Sequence, residues 1–149
     1  MQKKYTGFTL VELMIVVGII AIIMAMAIPQ FQTYLMRSKR TEAKVALSGL
    51  AQLQESFYGN NGNAYTTKFG AGGLNCQKKG LCKGATDTEA YTIPDGHYKL
   101  TMTSTGATNF TITATAVSPS QLGDAKCQTF TVNSSNQRTA TPTPGTDCW

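Results

Sequence analysis

Side chains that commonly carry catalysis or bind metals are scarce in this chain of 149 residues. It has a single histidine, His97, so neither a serine–histidine–aspartate triad nor a histidine-rich zinc site is expected. The sequence also lacks an HExxH motif, a CxxC pair and a glycine-rich phosphate loop after a strand. We therefore predict that the chain is not an enzyme and that it uses no cofactor or metal.

Charge is also scarce, since charged side chains make up 14% of the chain and the formal net charge is +5. A positive net charge this small does not by itself predict binding to nucleic acid. No residue between Leu13 and Ile28 is charged or polar. As a helix, the stretch from Phe8 to Ile28 would span roughly 30 Å, the thickness of the hydrocarbon core of a bilayer. We therefore predict one helix that can cross a membrane.

Glu12 is the one carboxylate in this apolar stretch. A carboxylate inside a membrane-spanning helix costs about 2.5–3.5 kcal/mol on insertion scales, and such residues usually face a partner. Two interpretations remain open. In the first, Glu12 lies close enough to the membrane interface for the free energy of inserting its charge to be small. In the second, its charge pairs with a positively charged partner in an assembly.

A short polar leader, residues 1–7, precedes the apolar stretch, whereas an ordinary secretory signal has its cleavage site after such a run. The sequence from Gly7 to Val17, GFTLVELMIVV, resembles the N-terminal motif of type IV pilins of class IVa. The resemblance implies that a prepilin peptidase cleaves after Gly7 and that the new amine of Phe8 is methylated. It also implies that Glu12 holds the family's invariant acidic position, and we predict that Glu12 pairs with the Phe8 amine of a neighbouring subunit during assembly.

Gly18 and Pro29 interrupt the helical pattern, and Pro29 stands where pilins have a proline. The resemblance implies that the helix melts locally between them in a filament. From Gln30 the pattern becomes amphipathic, and we predict one helix from Phe8 to about Tyr58. Its predicted apolar stripe consists of Phe31, Tyr34, Leu35, Val45, Ala46, Leu50, Leu53 and Phe57.

Alternation of apolar and polar residues predicts strands at 98–104, 110–117 and 127–133, with a short fourth at 137–141. The predicted fold class is α+β. The apolar half of the long helix protrudes and its amphipathic half packs on an antiparallel sheet of three or four strands, as in the pilin fold. The predicted divisions are a leader (1–7), a membrane and filament-core half-helix (8–29), an amphipathic half-helix (30–58), and a globular part with loop, sheet and disulfide-bounded region (59–149).

All four cysteines follow the apolar stretch, which predicts disulfides in an exported domain. Four cysteines allow three pairings. Proximity in sequence favours Cys76–Cys82 and Cys127–Cys148, which would contribute about 2 and 3 kcal/mol in the loop-entropy model.

Two groups of basic residues are candidates for contacts. Lys78, Lys79 and Lys83 surround the first predicted disulfide and form a candidate contact for anions or the phosphate backbone of DNA. The cluster 37–44 follows the apolar stretch and would contact lipid headgroups or acidic groups of neighbouring subunits. In both cases the alternative is a solvated surface. His97 follows Asp95-Gly96, and we expect it to be an exposed turn residue.

The resemblance implies a pilin subunit that is processed after Gly7 and polymerises through its helix into a surface pilus for adhesion, twitching motility or DNA uptake. Its partners would be other copies of itself, the prepilin peptidase, the pilus assembly machinery and, before assembly, the membrane. The chain would sit in the inner membrane with a cytoplasmic N-terminus and then move to the extracellular pilus.

Two alternatives stay open. The segments Tyr98–Thr101 and Gly123–Asn133, with Cys148-Trp149, resemble minor pilins that act in assembly or as DNA receptors in competence. DNA is a candidate partner on that ground, but no DNA-binding residue transfers from the resemblance. The other alternative is a pseudopilin of a type II secretion system, which shares the N-terminal motif.

Overall fold

The computed structural model describes residues 7–83, 91–142 and 148–149. They belong to two compact units, the first ending at Leu35 and the second beginning at Met36. The elements are α1 (Leu10–Asn60), β1 (Tyr91–Thr92), β2 (Tyr98–Thr103), β3 (Thr111–Ala116), α2 (Pro119–Leu122), β4 (Cys127–Asn133) and β5 (Arg138–Pro142). A long N-terminal helix followed by an antiparallel sheet confirms the predicted α+β class.

The first unit consists of the apolar part of α1. The helix begins after Thr9, whose Oγ1 accepts a hydrogen bond from the backbone N–H of Glu12 at 3.2 Å, so Thr9 caps the helix. The apolar side chains of this unit are exposed, and α1 is long and apolar enough to cross a membrane by length and composition. The helix continues through Pro29, where the Thr33 hydroxyl donates to the Pro29 carbonyl at 3.2 Å.

In the second unit, α1 presents a narrower buried face than the sequence predicts. The buried residues of the helix are Ala43, Ala46, Leu47, Leu50 and Gln54. The predicted stripe is therefore wrong at Val45, which is 60% exposed. Its first three members, Phe31, Tyr34 and Leu35, belong to the first unit and are also exposed. Steps of three and four residues from Ala43 place Leu47 and Gln54 towards the core and turn Val45 away from it.

The sheet has the order β1-β2-β3-β4-β5 with every neighbouring pair antiparallel. One row of its inner face consists of the buried residues Leu100, Ala114, Phe130 and Ala140, which lie opposite one another in register. Strand β1 was not predicted from the sequence because it has only two residues. Helix α2, a single turn that begins at Pro119, was not predicted either.

The helix and the segment before β4 are joined by an ion pair. Nε and Nη2 of Arg40 donate to the two carboxylate oxygens of Asp124 at 2.6 and 2.7 Å. The same carboxylate accepts the backbone N–H of Lys126 at 3.1 Å and of Cys127 at 3.2 Å. Asp124 therefore fixes the start of β4 against α1.

The outer edge of the sheet, β5, is held by the end of the described chain. Cys148 forms a disulfide with Cys127 at the start of β4. The indole Nε1 of Trp149 donates to the carbonyl of Thr139 at 2.7 Å, and its ring packs edge to face with Phe130 at 5.7 Å.

Candidate nucleic-acid interface

The first basic group lies on a loop of defined shape, residues 75–83, which we call the lysine loop. Successive backbone hydrogen bonds fold it: Lys78 N–H donates to Asn75 O, Lys79 N–H to Cys76 O, and Gly80 N–H to Gln77 O, at 3.0–3.2 Å. A disulfide joins Cys76 to Cys82 across the loop. Gly80 has a φ of +70°, which favours glycine at this turn.

Two contacts hold the lysine loop on the second unit. Leu81 packs against α1 at Gly49, where a Cβ would lie only 2.7 Å from Leu81 Cδ1, so a larger residue at this position would require the Leu81 side chain to shift. Lys83 extends the sheet edge, since its N–H donates to Thr92 O at 2.7 Å and its carbonyl accepts Thr92 N–H at 3.0 Å. The loop is thus attached to both the helix and the sheet.

Lys78, Lys79 and Lys83 are all exposed on this loop. None of them forms an ion pair within the part of the chain that the structure describes. Three cations that pair with no described carboxylate, held on an anchored loop, are suited to contacts with phosphate groups, because little conformational entropy is lost when such a loop binds. The structure therefore places all three predicted lysines on one anchored loop.

The second basic group, residues 37–44, does not form one solvated face. Arg40 is committed to Asp124, and Lys39 Nζ donates to the Ser120 hydroxyl at 2.8 Å. Burial lowers the pKa of Lys44, and the nearby charge of Arg40 lowers it further. Of the four cations in this group, Arg37 alone is exposed, so a fully solvated face, one of the two alternatives left open by the sequence, does not describe the cluster.

The predicted processing and assembly residues lie at or within α1. Gly7 and Phe8 precede the helix, and Phe8 is 85% exposed. Glu12 is exposed in the first turn, where a carboxylate also interacts favourably with the helix dipole. Gly18 and Pro29 both lie inside the helix, and open space surrounds the position of a Cβ at Gly18. Their roles in cleavage and assembly stay predictions.

His97 is half-buried, not an exposed turn residue as expected, because its ring Nδ1 lies 3.3 Å from the Ser118 hydroxyl. Glu42 is close to this turn. Burial raises the pKa of the Glu42 carboxyl, and the neighbouring charge and hydrogen bond of Asp95 raise it further. Within the described residues, no group of three or more His, Cys, Asp or Glu side chains could hold a metal ion.

Sequence reasoning missed the structural roles of three residues, Thr9, Asp124 and Trp149. The spacing of Thr9 and Glu12 matches a helix capping box, so the role of Thr9 at the helix start could have been predicted from the sequence. Asp124 and Trp149 gave no local signal, because their partners Arg40 and Arg138 are distant in sequence.

Comparison with known proteins identifies the family. The model of the prokaryotic N-terminal methylation motif matches residues 2–28. The family model described as type IV minor pilin ComP, DNA uptake sequence receptor, matches residues 29–131, which is more than half of the chain. The chain belongs to the ComP family of type IV minor pilins. The predicted membership of the type IV pilins is thereby confirmed, together with the weaker resemblance to minor pilins.

Individual relatives of this minor pilin are pilins and fimbrial proteins. The type IV major pilin protein PilA of Myxococcus xanthus is 56% identical over 57 residues, 38% of this chain and 26% of PilA. A fimbrial protein of Pseudomonas aeruginosa is 52% identical over 55 residues, 37% of this chain and 36% of that protein. The chain thus spans well under half the length of these curated relatives. A solved type IV pilin from Shewanella oneidensis is 19% identical, with a TM-score of 0.48 over 76% of this chain and 97% of that one.

Proposed function

We propose that this minor pilin binds double-stranded DNA through the lysine loop. The observation that carries the proposal is the anchored loop with three exposed lysines that form no ion pair with another described residue, inside the segment matched by the DNA uptake receptor family. Contacts between lysines and phosphates supply affinity without requiring a particular base sequence. Which base sequence is preferred is a separate property that these lysines do not determine.

The proposal includes the route by which the subunit reaches a pilus. The prepilin peptidase cleaves after Gly7, Phe8 is methylated, and the apolar part of α1 holds the subunit in the inner membrane with its N-terminus in the cytoplasm. The pilus assembly machinery then transfers α1 from lipid into a filament of subunits outside the cell. The exposed apolar side chains of residues 8–28 support this route, because they need either lipid or other helices around them.

The test is the salt dependence of DNA binding by the full chain in a non-ionic detergent. A fluorescent duplex is titrated at several salt concentrations, and binding is followed by anisotropy. Each lysine–phosphate contact contributes about −0.9 to the slope of log K against log salt. We expect the double variant Lys78→Ala/Lys79→Ala to reduce the magnitude of that slope by about 1.8.

The matched control is Lys126→Ala, which removes an exposed lysine just before β4, a strand that β2 and β3 separate from the sheet edge to which the lysine loop pairs. Its slope is expected to stay at the wild-type value. If the double variant and the control have the same slope as wild type, DNA binds elsewhere and the lysine loop is not the site. Absence of any binding to duplex at low salt would refute DNA binding altogether.

A further inference from the structure

A groove runs between the solvent-facing side of α1 and the β4–β5 hairpin. It consists of two adjoining cavities of ≈350 and ≈400 Å³, which share the lining residues Ser48, Gln52 and Arg138. The rest of the larger cavity is lined by Lys44, Trp149, Val45, Gly49 and Leu81. We give the name Trp149 groove to the charged, polar and aromatic members of this lining, Lys44, Ser48, Gln52, Arg138 and Trp149. Each cavity falls within the volume range of small-molecule sites.

The groove is positively charged. Lys44 and Arg138 form no ion pair within residues 7–83, 91–142 and 148–149. Burial and the charge of Arg40 both lower the pKa of Lys44, so an anion near this ammonium group would relieve an unfavourable environment. The carboxylate that lines the adjoining cavity, Glu55, already accepts a hydrogen bond from the Tyr65 hydroxyl at 3.0 Å.

Trp149 is held in a fixed orientation at the groove. Its Nε1 donates to Thr139 O, and its ring meets Phe130 at an interplanar angle of 84°. The guanidinium carbon of Arg138 lies 5.4 Å from the centroid of the indole, in a cation–π contact. An oriented indole beside two cations is the combination with which proteins bind single-stranded nucleic acid: aromatic rings stack on bases and cations contact phosphates.

We propose that the Trp149 groove binds an unpaired nucleobase of a DNA strand. The base stacks on the indole in place of the Arg138 guanidinium, which moves to a phosphate next to that base. Lys44 contacts a second phosphate, and the side chains of Ser48 and Gln52 hydrogen-bond the polar edge of the base. Stacking of a base on an aromatic ring is worth more than an exposed cation–π contact, so this exchange is favourable.

The inference rests on the proposed DNA binding and extends it to a second site with a different preference. The lysine loop contacts phosphates of any strand, paired or unpaired, whereas the groove requires a base whose faces are free. An open end, a gap or a locally unpaired stretch of DNA would therefore engage both sites, and a fully paired duplex only the lysine loop.

The test uses the fact that Trp149 is the only tryptophan of the chain, so its emission reports on the groove alone. The full chain in non-ionic detergent is titrated with a labelled single-stranded oligonucleotide, and anisotropy and tryptophan emission are recorded together. An abasic strand of equal length serves as the control because it keeps the phosphates and lacks the bases. We expect the oligonucleotide to quench Trp149 with the same midpoint as the anisotropy change, and the abasic strand to bind without quenching.

A variant provides the second measurement. Trp149→Leu is expected to weaken binding of the single strand by about 5- to 100-fold and to leave binding of a blunt, fully paired duplex within about twofold of wild type. If this variant does not fold, the emission of the wild-type chain alone decides the question.

The outcomes separate the two proposals. A change in anisotropy without quenching, or equal quenching by the abasic strand, overturns base stacking and leaves DNA binding by the lysine loop intact. No change in anisotropy with single strand or duplex at low salt overturns both.

Discussion

Replacing Asp124 with asparagine tests the ion pair that joins α1 to the start of β4. The Asp124 carboxylate accepts two hydrogen bonds from Arg40, at 2.6 and 2.7 Å, and two from backbone N–H groups. Its side chain is only 3% exposed. Asparagine preserves the size of the side chain, but it removes the negative charge and leaves one oxygen acceptor where there were two.

The expected loss follows from this geometry. Removing one partner of a buried ion pair destabilises a protein by about 3–5 kcal/mol, because the remaining charge is left without a partner. The Arg40 side chain is 15% exposed and retains some contact with water. The expected decrease in the free energy of unfolding is therefore at the lower end of this range, about 3 kcal/mol.

The same ion pair gives stability a defined dependence on pH. Burial raises the pKa of the Asp124 carboxyl, but the hydrogen bonds from Arg40 and the backbone outweigh burial and hold this pKa below the ordinary value of 3.8. The folded-state pKa is thus below the unfolded one. The stabilisation is complete above the unfolded pKa and is lost as the pH falls through the folded pKa. Asp124→Asn removes this contribution, so its stability changes less with pH in the acid range.

Urea unfolding of the full chain in detergent, followed by Trp149 emission, measures both effects. Trp149 reports on the sheet because it packs on Phe130. Arg40→Met and the double variant complete a mutant cycle, and we expect the double variant to lose less than the sum of the single losses. An Asp124→Asn chain with the wild-type urea midpoint and pH profile would refute the reasoning.

Three further predictions concern carboxylates and processing. Burial and Asp95 raise the pKa of the Glu42 carboxyl, so folding disfavours its charged form. The free energy of unfolding therefore falls as the pH rises from 4.5 through the folded-state pKa. Glu42→Gln is expected to unfold at a higher urea concentration than wild type at pH 7, and this difference is expected to vanish near pH 3. Glu12→Ala is expected to give folded, membrane-inserted monomer but few fibres in sheared-pilus preparations, and normal fibre yield would contradict its assembly role. Gly7→Leu is expected to block leader removal, and a band of mature size on a gel would contradict cleavage after Gly7.

The fold was largely predictable because the long helix and three of the strands have clear local patterns of apolar and polar residues. Period-two alternation located β2, β3 and β4, and the uncharged run located the first part of α1. The buried face of α1 was predicted less well, and Gln54 shows why. This polar residue is buried because its Nε2 donates to the carbonyl of Thr66 at 2.5 Å and its Oε1 accepts the N–H of Thr66 at 3.2 Å. Hydropathy alone cannot anticipate such a partner on a loop.

The candidate site was likewise predictable from the sequence only in part. Lys78, Lys79 and Lys83 were predictable because they are close together in sequence beside two cysteines. Their attachment through Leu81 and Gly49 was not, since it depends on a packing contact between residues distant in sequence. The Trp149 groove was also not predictable, because Lys44 and Arg138 meet only after the β4–β5 hairpin has folded beside α1.

The bond from Trp149 to the Thr139 carbonyl also affects how copies of this chain can associate. An edge strand exposes unpaired backbone groups that invite a strand from another molecule, and natural proteins block such edges with proline or with covering side chains. At β5, Pro142 lacks an N–H group, and the indole occupies one carbonyl. At the opposite edge, β1 is only two residues long. Growth by continuous addition of strands, as in an amyloid fibre, is therefore disfavoured at both edges.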